Sequence, residues 1–229
     1  MELYLIRHGQ STSNRGDVRV ADPPLTDLGR EQALRAGAAL SEIDIARLYC
    51  SPMLRALQTA TIIGEFLDLA PHVFVGLHEW GGIWEDRGNS GREQLPGLTR
   101  SGVHEICPTA VLPDDITNEG WWFRKWEGIE PAPSWNDKQM MQLANENALA
   151  FIAHLERHHA TTDESVAVVS HGASASTLIG TFFGLQQDDD NARFVHYNAA
   201  ISMIHRTPER TQLLYLNRIA HLSKEMVTW

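Results

Sequence analysis

Two predicted strands end in residues that could do chemistry. The apolar run at residues 3–6 leads directly into Arg7 and His8, and a second apolar run at residues 166–169 precedes His171. Both runs are short and apolar throughout, which is typical of strands buried on both faces of a parallel sheet. Because open α/β sheets bind ligands beyond the carboxyl ends of their strands, we expect His8 and His171 to face one pocket.

Arg55 completes a candidate anion site. It lies in the first turn of the helix predicted after the strand at residues 46–50, at the same edge of the sheet as Arg7. Two arginines and two imidazoles suit a phosphate dianion, since the guanidinium fork matches phosphate oxygens and helix N-termini, including the one at Gly172, add backbone donors. Nearby cations lower the pKa of a histidine, so His8 is expected to remain an unprotonated nucleophile at neutral pH.

A carboxylate beyond the third predicted strand, residues 73–75, is the candidate proton donor. Attack on phosphorus expels an oxygen that needs a proton, and Glu79 follows this strand closely enough to face the cluster. Glu85 and Asp86 are near in sequence and remain alternatives for the same role.

The elements that position these residues alternate between strand and helix. Thr26 is a predicted helix N-cap, and Ser51 followed by Pro52 predicts the start of the helix that carries Arg55. Further predictions are helices at residues 144–155 and 178–182, strands at residues 199–204 and 212–216, and a solvated helix end at His154, His158 and His159. The alternation predicts the α/β class, with three α/β/α layers and a mostly parallel central sheet.

The segment 86–135 is predicted to be an inserted lid within one domain of residues 1–229. It shows no sustained helical or alternating period except a short amphipathic piece near residues 99–106. Long ordered connections of this kind are usually lids or binding loops, and the tryptophans here favour a small apolar core over a ligand cage. Its basic residues could reach an anionic substrate tail: Arg87, Arg92, Arg100, Arg124 and Lys125.

Bulk composition argues against several classes of protein. Twenty-nine acidic and 19 basic residues give a formal net charge of −10, which disfavours nucleic acid or an anionic membrane as a partner. No apolar run approaches the roughly 20 residues of a membrane span, and we expect no signal peptide because the chain enters a strand at once. Cys50 and Cys107 make no disulfide framework, which favours reduced thiols and a cytoplasmic location.

Several sequence blocks together resemble the histidine phosphatase superfamily, also called phosphoglycerate mutase-like, and in particular its phosphatase members. They occur in the family's order along the chain and leave residues 86–135 uncovered. The blocks are Arg7-His8-Gly9 with Ser11 and Asn14; Pro24-Leu25-Thr26 with Gly29; Ser51-Pro52-Met53-Leu54-Arg55-Ala56 with Gln58-Thr59-Ala60; Glu79 with Gly82, Trp84 and Glu85; Ser170-His171-Gly172; and Asn217 with His221-Leu222.

The resemblance implies a phosphoglycerate mutase-like fold, an activity and a role for each matched residue. His8 would be the phosphorylated nucleophile, and Glu79 would be the proton donor and then the base for water. The family uses no metal, so no cofactor is expected, and the substrate would be a small-molecule phosphomonoester. Asp86 departs from the glycine usual in the family's loop. The phosphoryl group would be held by Arg7, Asn14, Arg55 and His171, near Gly172.

Three alternatives stay open beside a phosphomonoester hydrolase. A mutase of the phosphoglycerate type would carry an aromatic and basic stretch after Asn14, and residues 15–22 lack the aromatic part. A catalytically silent binding module on the same fold would not need the complete motif set that is present. A zinc hydrolase using His8 and His171 would have to place a dication beside arginines. The oligomeric state and the identity of the substrate are left open by the sequence.

Overall fold

A mixed β-sheet lies at the centre of the computed structural model, which describes residues 1–16, 20–88, 92–122, 138–159, 164–185 and 194–229. The strands in these ranges are β1 (Glu2–Arg7), β2 (Ile45–Cys50), β3 (Pro71–Val73), β4 (Trp84–Asp86), β5 (Arg92–Gln94), β6 (Ser165–Ser170), β7 (Ile201–Arg206) and β8 (Thr211–Arg218). The α-helices are α1 (Thr12–Arg15), α2 (Asp27–Leu40), α3 (Leu54–Leu67), α4 (Arg100–Ile106), α5 (Lys138–His159) and α6 (Gly172–Phe182), and short 3₁₀ turns lie at Val75–Leu77 and Lys224–Met226.

The sheet order brings the two predicted histidine-bearing strands side by side. Among the described residues, six strands pair in the order β3-β2-β6-β1-β7-β8. β1 runs parallel to β6, with Arg7 opposite Ser170, and antiparallel to β7 on its other side. Because β1 and β6 end in register, the residues that follow them, His8 and His171, leave the sheet at neighbouring points of one edge.

Alternate residues of the buried strands supply two separate cores. On β1, Tyr4 and Ile6 pack in the core that includes residues of α2 and α3, whereas Leu3 and Leu5 pack in the core that includes residues of α5 and α6. Side chains of successive strand residues point to opposite faces, so a strand that is apolar throughout requires a helical layer on each side. The predicted three-layer α/β/α class with a mostly parallel sheet is confirmed.

The start of α3 differs from the prediction. The helix begins at Leu54 with Met53 as N-cap, and Met53 makes no capping hydrogen bond with its side chain. The hydroxyl of Ser51, the predicted cap, instead lies 2.8 Å from Nε2 of His171 and accepts a hydrogen bond from the Met53 amide at 3.2 Å. The amide of Leu54 donates to the carboxylate of Asp22, so a residue from a distant loop caps the helix.

The interpretation of a solvated end for α5 is wrong for His159. Its side chain is buried, its Nδ1 lies 2.8 Å from Oε2 of Glu164, and its Nε2 lies 3.0 Å from the hydroxyl of Tyr49. Nε2 of His154 contacts the same hydroxyl at 3.1 Å, whereas His158 is exposed. Tyr49 lies on β2, far away in sequence, and Glu164 lies beyond the end of the helix, so a helical pattern cannot reveal either partner.

The described part of segment 86–135 contains a hairpin and a core contribution. β4 and β5 pair as an antiparallel hairpin that was not predicted, and the amphipathic piece near residues 99–106 is α4, capped by Thr99. Trp121 and Trp122 are buried in the core that includes residues of α2 and α3, so these two tryptophans join the main core instead of a small separate one. Residues 123–135 lie outside the described residues, so the lid stays a prediction.

Candidate active site

His8 lies directly after β1, buried, and its environment defines which ring nitrogen is free for chemistry. Its Nδ1 is 2.7 Å from the carbonyl oxygen of Gly9, which can only accept, so Nδ1 carries the proton and Nε2 carries the lone pair. Burial, followed by the charges of Arg55 and Arg7, lowers the pKa of His8 well below its ordinary value. His8 is therefore a neutral imidazole with an available Nε2 lone pair at neutral pH.

One buried and one partly buried arginine flank this imidazole. Arg55, from the first turn of α3, donates from Nε to Nε2 of His8 at 3.1 Å, and its Nη1 lies 3.6 Å from Oδ1 of Asp22. Arg7 donates from Nη1 to the carbonyl of His196 at 2.7 Å, while its buried Nε has no hydrogen-bond partner among the described residues. An unpartnered guanidinium N–H beside a second guanidinium suits an anionic ligand, because burying such a donor alone is costly.

His171 lies beside His8 as the N-cap residue of α6. The ring centroids of the two histidines are 5.1 Å apart at an interplanar angle of 60°. Burial, then Arg55, His8, His78 and Arg7, lower the pKa of His171 well below its ordinary value. Within the part of the chain that the structure describes, its buried Nδ1 has no hydrogen-bond partner, so a polar atom of the ring is left unsatisfied in the cationic cluster.

Glu79 follows the turn Val75–Leu77 and is held by the first turn of α6. Its Oε1 accepts hydrogen bonds from the amide of Ser174 at 3.3 Å and from the amide of Trp80 at 3.2 Å. The hydroxyl of Ser174 also lies 3.3 Å from this oxygen. These contacts leave Glu79 in the wall of the same cavity as Arg7, His8 and Arg55.

The two alternative carboxylates lie differently. Glu85 pairs with Arg87 at 2.6 Å and is not among the residues that line the cavity. Asp86 does line the cavity, and its Oδ1 accepts a hydrogen bond from the amide of Gly88 at 2.8 Å. Of the three carboxylates, Glu79 alone is bonded to the helix that follows His171.

Asn14 and Gly172, the remaining predicted phosphate ligands, occupy different positions. Asn14 is exposed at the cavity, and its Oδ1 accepts hydrogen bonds from the amide and hydroxyl of Ser11 at 3.1 and 2.9 Å. Gly172 is the first residue of α6, and a Cβ there would lie 3.6 Å from Nε of Arg7. His171 and Gly172 are absent from the cavity lining, although both adjoin residues that form it.

The cavity has a volume of about 360 Å³ and walls of two kinds. Arg7, His8 and Arg55 supply the cationic part. The organic part of a ligand would meet apolar and aromatic side chains from four segments, namely Val20, Ala21, Pro23, Met53, Trp80, Trp84 and Met140. The site therefore combines an anion-binding group with space for an apolar substituent.

The sequence matches the family model described as histidine phosphatase superfamily (branch 1), over residues 3–105 and 100–219. The chain belongs to the histidine phosphatase superfamily. The predicted family is confirmed, and with it the predicted enzyme class, a hydrolase of phosphomonoesters.

Individual relatives within the superfamily are distant. The adenosylcobalamin/alpha-ribazole phosphatase of Salmonella typhimurium is 27% identical over 183 residues, which is 78% of each chain. The PE-PGRS family protein PE_PGRS11 of Mycobacterium tuberculosis is 38% identical over 106 residues, and the match covers 44% of this chain but 17% of that protein. The crystal structure of the alpha-ribazole phosphatase from Shigella flexneri has the same fold, with a TM-score of 0.61 at 22% identity over 95% of this chain and 96% of that one.

Sequence reasoning missed residues of this histidine phosphatase that support the site from behind. His196 accepts the Arg7 hydrogen bond through its carbonyl, Ser174 fixes Glu79, and Asp22 pairs with Arg55. The side-chain amide of Asn198 donates from Nδ2 to the carbonyl of His8 at 3.2 Å. Each is an isolated polar residue without a local pattern, so only its position in the fold reveals it.

Two further findings concern metals and membranes. Within the ranges described above, no three His, Cys, Asp or Glu side chains cluster in a way that could hold a metal ion. None of the helices in those ranges is long and apolar enough to cross a membrane.

Proposed function

We propose that the chain hydrolyses a small-molecule phosphomonoester through a phosphohistidine on His8. The observation that carries this proposal is the neutral His8 ring, with Nδ1 bonded to the Gly9 carbonyl and Nε2 facing Arg55 at 3.1 Å. A nucleophile of this kind needs an unprotonated nitrogen beside groups that bind the phosphoryl oxygens, and both are present.

The reaction has two steps that share one set of residues. Arg7 and Arg55 bind the phosphate dianion, and Nε2 of His8 attacks phosphorus while the bond to the ester oxygen breaks. Glu79 gives its proton to that oxygen, so the alcohol leaves. The carboxylate of Glu79 then takes a proton from water as the water attacks the phosphohistidine, which releases inorganic phosphate and restores both residues. His171 and Asn14 are proposed to complete the phosphoryl site.

Neither step needs a metal, and the cationic cluster disfavours the zinc alternative. A dication bound by His8 and His171 would lie close to the guanidinium groups of Arg7 and Arg55, which would repel it. The Nε2 lone pair that would bind zinc already accepts a hydrogen bond from Arg55.

The cavity walls favour an apolar leaving group over a phosphoglycerate. Of the basic residues expected to reach an anionic tail, Arg87 pairs with Glu85 and Glu93, and Arg100 donates to the carbonyls of Ile116 and Pro113. Arg124 and Lys125 lie outside the described residues, as does the side chain of Arg92. Among the described lining residues, Asp86 adds a negative charge instead, and this supports hydrolysis of a bulkier, more apolar ester over the mutase reaction.

We further propose a single domain, a cytoplasmic location and no nucleic-acid partner, from the family match, the cysteines and the net charge. The family match runs from residue 3 to residue 219, which supports a single domain, and the inserted lid at 86–135 stays a prediction. The two cysteines are buried free thiols, compatible with the proposed cytoplasmic location. The net charge supports the prediction that nucleic acid is not a partner.

Replacing the nucleophile tests the proposal. We expect His8→Ala to lower turnover of p-nitrophenyl phosphate by several orders of magnitude without unfolding the protein, because the attacking Nε2 lone pair is removed. Mixtures of the wild type with ³²P-labelled substrate, stopped with detergent at alkaline pH and separated, should contain a phosphoprotein that is labile in acid and stable in base. His104→Ala, at an exposed histidine of α4, is the matched control and should leave both readouts unchanged.

Two outcomes would overturn the proposal. Near-normal activity in His8→Ala would contradict the phosphohistidine mechanism. No turnover of any phosphomonoester in a broad panel would favour the catalytically silent binding module. The mutase alternative is tested separately: phosphate release should equal substrate loss one for one, whereas rapid interconversion of 2- and 3-phosphoglycerate with little free phosphate would favour the mutase.

A further inference from the structure

Asp22 makes two contacts with the first turn of α3. Its carboxylate oxygens lie 3.1 and 3.0 Å from the amide nitrogen of Leu54, and Oδ1 lies 3.6 Å from Nη1 of Arg55. The side chain is 15% exposed, so the ion pair is largely shielded from water. Since Met53 offers no capping side chain, Asp22 both begins the helix and neutralises its buried arginine.

The same arginine blocks the nucleophile before substrate arrives. Nε of Arg55 donates to Nε2 of His8, the lone pair that must attack phosphorus. An incoming phosphoryl group must therefore take over this hydrogen bond, and the guanidinium must stay close while it does so. A guanidinium carries several donors in one rigid plane, so a group held at Nη1 can turn slightly and redirect Nε.

We propose that Asp22 is a positioning residue. It anchors Nη1 of Arg55 while the hydrogen bond donated by Nε changes its acceptor from Nε2 of His8 to a phosphoryl oxygen of the substrate. This inference rests on the proposed function. Asp22 lies between Ala21 and Pro23, which line the cavity. One short segment would therefore contact the organic group of the substrate and also carry the carboxylate that anchors Arg55. Without the carboxylate of Asp22, the buried cation of Arg55 would lose the larger of its two compensating negative charges, Asp22 and Glu79.

Two substitutions of Asp22 separate its charge from its capping role. Asp22→Asn keeps an oxygen for the Leu54 amide and removes the charge that holds Arg55. Asp22→Glu keeps the charge, but its longer side chain disturbs the contact with Leu54. We expect kcat/KM for p-nitrophenyl phosphate to fall about tenfold to a hundredfold in Asp22→Asn and less in Asp22→Glu. The loss corresponds to the charge-assisted hydrogen bond from Arg55 to the phosphoryl group, which Asp22 positions.

Binding of inorganic phosphate gives a readout that does not depend on turnover. Its inhibition constant, or its dissociation constant by calorimetry, should rise by about tenfold or more in Asp22→Asn, for the same reason. A purely structural cap predicts the reverse order, with Asp22→Glu the weaker enzyme and phosphate affinity unchanged in Asp22→Asn; that result would overturn the inference.

A double-mutant cycle tests whether Asp22 acts through Arg55. In an Arg55→Ala background, Asp22→Asn should cause little further loss of kcat/KM, because the group it positions is gone. An equal loss in both backgrounds would overturn the inference. If the wild type forms phosphohistidine and Asp22→Asn is as active as the wild type, this inference fails and the proposed function stands. If the wild type forms no phosphohistidine, the proposed function fails, and the affinity for inorganic phosphate still tests the contact between Asp22 and Arg55.

Discussion

Gly29 is the point where α2 meets the loop that carries His8, and we expect Gly29→Ala to damage both stability and catalysis. A Cβ at Gly29 would lie 2.9 Å from both the amide nitrogen and the carbonyl carbon of Gln10, and closer still to its carbonyl oxygen. A Cβ at Gly9 would lie 2.9 Å from the carbonyl carbon of Gly29. The two backbones are thus in direct contact, and neither can yield by a side-chain rotation.

The magnitude follows from the separation that the new methyl group forces. Overpacking a rigid contact costs about 1–3 kcal/mol, and the gain in helix propensity from glycine to alanine offsets at most about 1 kcal/mol. We expect a net loss of about 2 kcal/mol of unfolding free energy, or a Tm lower by about 4–8 °C at this chain length. A displacement on the order of 1 Å in the loop after His8 should lower kcat/KM by about a hundredfold.

The chain contains a matched control at Gly102. Both glycines are the third residue of a helix, and the amide of each donates to the hydroxyl of a threonine N-cap, Thr26 at 3.0 Å and Thr99 at 3.1 Å. A Cβ at Gly102 would meet nothing closer than 3.3 Å, so Gly102→Ala should be neutral or stabilising. Urea unfolding and p-nitrophenyl phosphate kinetics on both variants decide; equal unfolding free energies for the two would refute the reasoning.

Two further predictions concern the proton donor and the buried histidines. Glu79→Gln should lose at least about tenfold more activity on an alkyl phosphate than on p-nitrophenyl phosphate, whose leaving group needs no proton; Glu85→Gln is the control, and equal losses on both esters would move the role away from Glu79. Burial lowers the pKa of His196 to about 4, so its stabilising contribution is complete above the unfolded-state pKa near 6.5 and is lost as pH falls towards 4. Urea unfolding at pH 7 and pH 5 should therefore show a loss that is about 2 kcal/mol smaller in His196→Gln than in the wild type, and an identical loss in both would contradict the assignment.

The strand ends were predictable because they have local signatures. Short apolar runs followed by Arg7-His8-Gly9 and by His171-Gly172 define buried parallel strands, and the geometry of such sheets brings their carboxyl ends together. The structure places His8 and His171 with ring centroids 5.1 Å apart and Arg55 against His8, as that reasoning requires. The threonine cap of α2 was equally visible, since its signal lies within four residues of chain.

Features that depend on distant partners were not predictable. Ser51-Pro52 is a strong local start signal, yet α3 begins at Leu54, because Asp22 supplies the capping carboxylate and Ser51 contacts His171. His159 was interpreted as solvated because no residue near it in sequence indicates its contact with Tyr49. The hairpin of β4 and β5 has strands of three residues each, too short to show an alternating period.

The central position of β1 also determines when, during synthesis, the residues that surround His8 can assemble around it. Leu3 pairs with Val166 on one side and with Ile204 on the other, so both neighbours of this early strand are made much later. Contacts between residues so far apart in sequence form slowly, because the chain loses loop entropy before it gains their stabilisation. Until β6 and β7 have left the ribosome, β1 is an apolar strand without partners and His8 has no phosphate site around it. A nascent chain of this fold therefore stays inactive, and open to wrong strand pairing, for most of its synthesis.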